Sequence, residues 1–347
     1  MQIMNSNSFS LSEKSLLSRE QSAIIKGFAI FAVVASHNIL LTAGIQNLWL
    51  FLNSFNVAIF FIIVGLYGVK GGSFIENKKN TFIKIYGTYA ITLLIYFLLY
   101  KFVENQNKTF SDYIVALFIG GGKHVKNATG FLMLWFLPAF FWFSIIHESL
   151  LKLFFSKNHR QVILAIVFFI PICLFTLYIL WKHSYFYYLD LNGPLAGIFF
   201  IPFSIITSIV IRKIPLIFNF IFSVIVIILF VLFCFLHIGF IPEYLMPLAA
   251  TIFTLGLVRY NIITKKQVVG KIFSILGKNS LYIYLTHSLV FYSLYRFFNV
   301  PISNNIIKGI IFLIITIATS TILSVFIKRG LSHITIFRKS DTSKEGR

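Results

Sequence analysis

The sequence is short of acidic residues, with 10 Asp and Glu against 30 Lys and Arg in 347 residues. Only 12% of the residues are charged, whereas 58% are hydrophobic and 42 are Phe. Apolar runs of about twenty residues recur along the whole chain, long enough for helices that cross a bilayer. The composition therefore excludes an ordinary soluble protein and predicts a polytopic membrane protein.

Several kinds of site have no signature in the sequence. The two cysteines, Cys173 and Cys234, lie in apolar runs far from any pairing motif and are interpreted as small core residues. No His, Cys or carboxylate spacing typical of zinc is present, and neither is a phosphate-binding or dinucleotide-binding glycine motif. Asp and Glu are nearly absent from the apolar runs, which argues against a cation-coupled carboxylate relay. We expect no metal.

The apolar runs predict an all-α transmembrane helix bundle of about ten spans. The spans fall at roughly residues 22–42, 49–69, 85–100, 131–151, 161–181, 193–211, 215–238, 241–258, 272–294 and 305–327. Ten spans place both termini on one side, and most basic residues then lie on that side, which the positive-inside rule makes cytoplasmic. Topology therefore accounts for the net charge of +20, and nucleic-acid binding is rejected.

The chain is expected to form one transmembrane domain, residues 21–330, between a polar tail at 1–20 and a basic tail at 331–347. Residues 110–130 do not fit a simple span, because they are too short and too rich in Gly. We interpret them as an external re-entrant or interfacial piece that caps a cavity. A plain flexible turn at residues 120–122 is the alternative.

Residues 22–41 are the stretch around which the chain is organised, an apolar helix candidate with a cation and a histidine. Lys26 and His37 have ten residues between them. A helix would place them within about 20° of one face and about 16 Å apart along its axis. Lys26 is then expected at the membrane border and His37 near the bilayer centre, where ionisable groups are costly and typically functional. A histidine that only bonds a neighbouring helix is the alternative.

A second histidine, His287, lies in the ninth predicted span. Spans one and nine run in the same direction, so we expect His37 and His287 at similar depth, facing one cavity. Both have polar neighbours in otherwise apolar runs: Ser36, Asn38, Thr286 and Ser288. Two independent structural histidines are the alternative. His147, beside Glu148 at the inner end of the fourth span, is interpreted as half of a border pair.

The loop after the second span carries Lys78, Lys79 and Lys84 at the mouth of spans two and three. A basic, partly enclosed mouth suits a phosphate-bearing ligand, since cations near low-dielectric walls concentrate the field on anions. The ordinary cytoplasmic excess of basic residues explains any one of these lysines equally well.

Five segments of the sequence follow one another in the order in which a known family has similar segments. They are IIKGFAIFAVVASH at 24–37, FNVAIFFIIVGLYG at 55–68, Lys84 with residues 86–89, LWFLPAFF at 134–141 and LGKNSLYIYLTH at 276–287. Together they resemble the integral-membrane acyltransferases of the acyltransferase-3 family. Lys26 replaces the family's usual arginine, Val64 the Ser of a Ser-Gly turn, and Gly87 with Thr88 a Pro-Tyr. Lysine keeps the charge of arginine but lacks its bidentate fork.

The resemblance implies an O-acyltransferase that modifies cell-envelope sugars from the bacterial plasma membrane. Its donor would be a cytoplasmic acyl-CoA, most often acetyl-CoA, and its acceptor an envelope polysaccharide or lipid-linked sugar in contact with membrane lipid. His37 and His287 are the predicted catalytic residues. The predicted CoA-binding residues are Lys26, Lys78, Lys79 and Lys84, and the predicted acceptor-binding residues are Trp135, Asn38 and Ser36.

Two other functions are compatible with a polytopic basic chain. A flippase or transporter of lipid-linked sugars would need neither histidine. A polysaccharide polymerase typically has a large external loop, whereas here the longest external segment is residues 102–130.

Overall fold

The computed structural model describes residues 17–45, 47–66, 79, 82–104, 107–154, 156, 158–183, 190–236, 245–297 and 304–333. Within these ranges the regular structure is all helical, as predicted. The α-helices are α1 Arg19–Ser36, α2 Ile39–Gly44, α3 Leu48–Asn53, α4 Ala58–Gly65, α5 Thr88–Phe102, α6 Phe110–Ile119, α7 Gly122–Thr129, α8 Phe136–Phe154, α9 His159–Lys182, α10 Gly193–Phe199, α11 Ile201–Lys213, α12 Leu216–Leu236, α13 Met246–Arg259, α14 Val268–Lys278, α15 Ser280–Phe297 and α16 Asn305–His333. A π-helical turn, Ile83–Gly87, precedes α5, and a 3-10 turn, Met133–Trp135, precedes α8.

Seven helical segments in the described part of the chain are long and apolar enough to cross a membrane. They are Leu48–Gly65, Ile85–Phe102, Met133–Phe154, His159–Lys182, Gly193–Lys213, Leu216–Phe235 and Asn305–Arg329. The protein is therefore a multi-pass membrane protein. The other predicted spans, 22–42, 241–258 and 272–294, correspond to helices that are shorter or less apolar. A count of ten spans and the cytoplasmic termini stay predictions.

Three predicted spans are interrupted beside polar side chains. The first breaks at residues 37–38, between α1 and α2, and the second at 54–57, between α3 and α4. The ninth divides at Asn279 into α14 and α15. Hydrophobic content located these segments but could not locate the breaks, because each break is made by polar side chains that bond the backbone.

Residues 110–119 and 122–129 are helical, and residues 120 and 121 form the turn between the two helices. A re-entrant or interfacial position of this segment stays a prediction. α6 begins with a capping box in which Thr109 and Asp112 each bond the other's backbone N–H. The bond from the Thr109 backbone lowers the pKa of Asp112. Gly120 ends α6 at a φ of 62°, a left-handed conformation that favours glycine. The apolar face of α7, including Val125 and Ala128, is buried.

The helices form two compact units, and the chain passes between them at Phe60–Phe61 and again at Lys213–Ile214. The first, here called the central-segment unit, contains Phe61–Lys213. Its core is aromatic, with the Phe61 ring stacked on Phe200 at 4.2 Å between centroids. Phe136 and Phe143 meet the Phe61 ring edge-on at 5.3 and 5.1 Å. Edge and stacked contacts of this kind stabilise aromatic pairs beyond the area that they bury.

The second unit, here called the two-histidine unit, contains Arg19–Phe60 and Ile214–Arg347. Its closest helix contact joins α1 and α14, which pack backbone against backbone. A Cβ atom at Gly27 would lie 1.9 Å from the Phe273 carbonyl oxygen, and one at Gly277 would lie 1.7 Å from the Ala23 carbonyl oxygen. Since Gly27 pairs with Phe273 and Ala23 with Gly277, the two helices are antiparallel. Glycine at both points permits this approach.

We predict that Gly27→Ala destabilises the protein, because the added methyl group would overlap a backbone carbonyl that no side-chain rotation can move. The expected loss of stability is about 1–3 kcal/mol, typical of overpacking in a dense core. Thermal unfolding of the purified protein in detergent measures it. Gly87→Ala is the matched control, since a Cβ there meets nothing within 4 Å. Equal melting temperatures for the two variants would contradict the proposed contact.

Candidate active site

His37 follows the last residue of α1 and bonds the carboxyl end of that helix. Its Nδ1 lies 2.8 Å from the Val33 carbonyl oxygen, and its backbone N–H donates to the same oxygen at 3.3 Å. A carbonyl can only accept, so we assign the ring proton to Nδ1. The Nε2 atom then carries a lone pair. His37 is only partly buried as a residue.

His287 lies in the middle of α15 and is fully buried. Its Nδ1 lies 2.7 Å from the Tyr284 carbonyl oxygen and 3.1 Å from that of Ile283, so Nδ1 carries the proton here too. The His37 and His287 rings are 5.3 Å apart between centroids and tilted by 54°. The two histidines, predicted at similar depth, are thus neighbours, and their depth in the membrane and a shared cavity stay predictions. Both Nε2 atoms then carry the lone pair that a proton acceptor needs. The Nε2 of His287 lies 3.4 Å from the Ser288 hydroxyl.

Asn38 makes the break between α1 and α2. Its backbone has φ −82° and ψ 97°, and its Oδ1 accepts from the Leu41 backbone N–H as an N-cap. Its Nδ2 donates to the Gly309 carbonyl oxygen at 2.6 Å, and Oδ1 also accepts from the Tyr295 hydroxyl at 3.1 Å. One fully buried amide thereby connects the break to α15 and α16. The helix break at His37 is therefore held by three separate elements.

The break between α3 and α4 bonds the end of α1. Asn56 in this second break donates from Nδ2 to the Ser36 hydroxyl at 2.9 Å, and Ser36 in turn donates to the Val33 carbonyl at 2.8 Å. The Oδ1 of Asn56 accepts from the backbone N–H of Val57. Ser36 and Asn56 are both buried. Two interrupted helices therefore meet beside His37, where non-helical backbone has its polar groups bonded by protein.

The other predicted site residues are distributed more widely. Lys26 is half-buried on α1, in the same helix as the end that bonds His37. Lys79 is exposed and the backbone of Lys84 lies in the π-helical turn, both in the central-segment unit. Trp135 is buried in the 3-10 turn of that unit. Lys78 lies outside the described residues.

The interpretation of His147 and Glu148 as a border pair is wrong. His147 is buried, stacks on Phe143 at 4.9 Å between centroids, and has its Nε2 3.1 Å from the Ser204 hydroxyl. Glu148 forms an ion pair with Lys152 at 3.3 Å, one helical turn further on. Neighbours in sequence point to different sides of a helix, so the two side chains separate.

Comparison with known proteins identifies the family. The profile of the acyltransferase-3 family, described as an acyltransferase domain, matches residues 22–328. The chain belongs to this acyltransferase family. No curated protein and no solved structure matches the chain significantly.

The family match extends from the start of α1 to the end of α16, so it contains both histidines and Lys26. Within this acyltransferase domain, sequence reasoning missed Asn56, Tyr295 and Gly309. Asn56 had a usable signal, because it is a lone amide in the apolar run FNVAIFF. Tyr295 and Gly309 had no signal in the sequence, since they bond Asn38 only because α15 and α16 pack close to it.

We predict that Asn38→Ala lowers stability more than Tyr295→Phe. The first change leaves the buried Gly309 carbonyl, the Tyr295 hydroxyl and the Leu41 N–H without the amide, whereas the second removes one bond. A buried group left unpaired costs about 1–3 kcal/mol. Thermal unfolding of both variants and of the double variant gives the coupling between the residues. Strictly additive effects would contradict a direct bond between Asn38 and Tyr295.

Proposed function

We propose that the protein is a membrane O-acyltransferase that moves an acyl group, most often acetyl, from acyl-CoA to a sugar hydroxyl. The acceptor is an envelope polysaccharide or its lipid-linked precursor, and the setting is a bacterial plasma membrane with both chain termini cytoplasmic. The acyltransferase domain supplies the reaction class. The observation that carries the proposal is the His37–His287 pair, in which both Nδ1 protons are directed to carbonyls, so that both Nε2 atoms carry the lone pair.

In this proposal His37 is the general base. Its Nε2 accepts the proton of the acceptor hydroxyl while the hydroxyl oxygen attacks the thioester carbonyl carbon. As the carbon–sulfur bond breaks, Nε2 returns the proton to the leaving thiolate, so no net proton is consumed. The bond from Nδ1 to the Val33 carbonyl stabilises the ring while it carries the second proton. The partial exposure of His37 suits it for contact with substrate, and the burial of His287 suits that residue for sharing the proton.

Lys26 is proposed to contact the anionic end of the donor. It is separated from His37 by about 16 Å of helix, which exceeds the reach of one side chain. Such a separation suits CoA, because its phosphates and its thioester lie at opposite ends of an extended arm. Lys79 and Lys84 are proposed to contribute further positive charge on the donor side, as is Lys78.

The acceptor is proposed to meet His37 at the break between α1 and α2. Ser36 and Asn38 act there by holding the break, since their polar atoms bond neighbouring residues. Trp135 is buried in the central-segment unit, and no contact of the acceptor with its ring is proposed. A flippase or polymerase remains the second candidate, since a polytopic basic chain would serve either; the acyltransferase domain favours transfer chemistry.

We predict that His37→Ala abolishes acylation of the surface polysaccharide, because loss of a general base typically slows a reaction about 10²–10⁴-fold. NMR of polysaccharide from cells with the native chain, no chain or the variant measures the acyl content at matched membrane levels. His159→Ala is the matched control, since His159 is exposed at the start of α9. Equal acylation in all cells, with a reduced amount or length of polysaccharide without the protein, would replace the proposal with transport or polymerisation.

We also predict that Lys26→Ala raises the KM for acyl-CoA about tenfold with little change in kcat, since a hydrogen bond to a charged group is worth about 1.5–3 kcal/mol. Lys26→Arg should retain donor binding, because it keeps the charge. Steady-state kinetics in proteoliposomes with a soluble sugar acceptor measure both constants. Lys266→Ala, at an exposed lysine, controls for a general loss of positive charge. A fall in kcat alone would argue against a donor-binding role.

A further inference from the structure

Two buried hydroxyl groups inside α16 have no hydrogen-bond partner among the described residues. Thr207, Thr251, Thr254 and Thr286 each donate to the carbonyl oxygen four residues earlier in their helix. Thr316 and Ser320 are fully buried, and their hydroxyls bond no atom of the described residues. Such a group costs about 1–3 kcal/mol unless something bonds it. A bonding partner outside the described residues is therefore indicated.

The packing of α15 against α16 fixes the depth of these hydroxyls. At one end the Tyr295 ring lies 5.4 Å from the Phe312 ring. At the other end the Lys328 amine donates to the Asn279 Oδ1 at 2.5 Å. Asn279, immediately before α15, and Tyr295 on α15 are as far apart in sequence as Phe312 and Lys328 are on α16, and the two helices are antiparallel. His287 lies halfway between the first two residues, and Ser320 lies halfway between the second two. Ser320 is therefore level with His287.

The two hydroxyls lie on the face of α16 that packs against α15. Phe312, Thr316 and Ser320 follow each other at intervals of four residues, which places them on one face of the helix. All three are fully buried, and Phe312 contacts Tyr295 of α15. His287, on α15, is also fully buried. Two hydroxyl donors and one imidazole acceptor are thus fully buried at a similar level of the two-histidine unit.

We propose that Thr316 and Ser320 bind a buried water molecule that hydrogen-bonds the Nε2 atom of His287. Two hydroxyls and one ring nitrogen give this water three partners, the usual number for a buried water. All three side chains are fully buried, so water suits the site better than a larger ligand. Water can donate to the neutral Nε2 and, after turning, accept from a protonated one. His287 can therefore share the proton taken up by His37 without losing hydration.

The role of His287 in sharing the proton rests on the proposed acyl transfer, whereas the water site itself does not. Thr316 and Ser320 are positioning residues in this account, since they act on the reaction through water and His287. A merely structural role for their hydroxyls would affect stability and leave the hydration of His287 unchanged. The test therefore measures hydration directly.

The experiment uses the full chain in lipid bilayers with ¹⁵N-labelled histidine. Solid-state NMR records the transfer of magnetisation from water protons to the imidazole nitrogens, and His287→Asn assigns the His287 signals. We expect transfer to the His287 Nε2 in the native protein, its loss in the double variant Thr316→Val with Ser320→Ala, and its retention in Thr321→Val. Thr321 is the matched control, because its hydroxyl on the same helix bonds the Ile317 carbonyl. Thermal unfolding verifies that each variant is folded.

The water site is overturned if the native His287 receives no transfer from water, or if the double variant retains it. Acyl transfer measured on the same samples tests the functional part. We expect kcat to fall about tenfold in the double variant with KM unchanged, the effect of one lost hydrogen bond to a charged group. If the double variant loses the hydration of His287 but keeps the native kcat, the proposed proton sharing by His287 is overturned. Absence of acyl transfer from every sample, the native protein included, would reject the proposed function, and the NMR result would still decide the water site.

Discussion

A helix that stops among apolar side chains exposes backbone groups that must be bonded within the protein, and the site around His37 depends on how this is done. Asn38 caps the new helix, and its side chain also bonds the Gly309 carbonyl and the Tyr295 hydroxyl. Ser36 and Asn56 bond on the other side of the break. Because one amide bonds three elements, the position of His37 is set by α2, α15 and α16 together.

The same arrangement explains why two histidines with similar local surroundings differ in accessibility. Each ring directs Nδ1 to a carbonyl of its own helix, which fixes the tautomer and the direction of Nε2. His287 is enclosed in the middle of an intact helix, whereas His37 lies at a helix end and keeps part of its surface accessible. A pair of this kind combines one ring that can meet a substrate with one that is sheltered from solvent.

The features that follow from composition could be predicted from the sequence, and those that follow from packing could not. Long apolar runs predicted an all-α membrane protein, and the spacing of Lys26 and His37 pointed to the site helix. The breaks at residues 37–38 and 54–57 were missed, because an amide in an apolar run shows no partner until the fold supplies Gly309 and Ser36. The close packing of Gly27 on α14 was also missed, since the position of a glycine in an apolar run does not show whether another helix approaches it.

The division of the chain has a consequence for biogenesis. The two-histidine unit joins Arg19–Phe60 to Ile214–Arg347, with the whole of Phe61–Lys213 between them in sequence. When α1 leaves the ribosome, the partners that order His37 have not been made, and Gly309 is among the last of them. Contacts so distant in sequence form late, after most of the chain has entered the bilayer. During synthesis α1 therefore stays without its packing partners for most of translation. Chaperones or insertases that bind α1 in this period would determine the yield of folded protein.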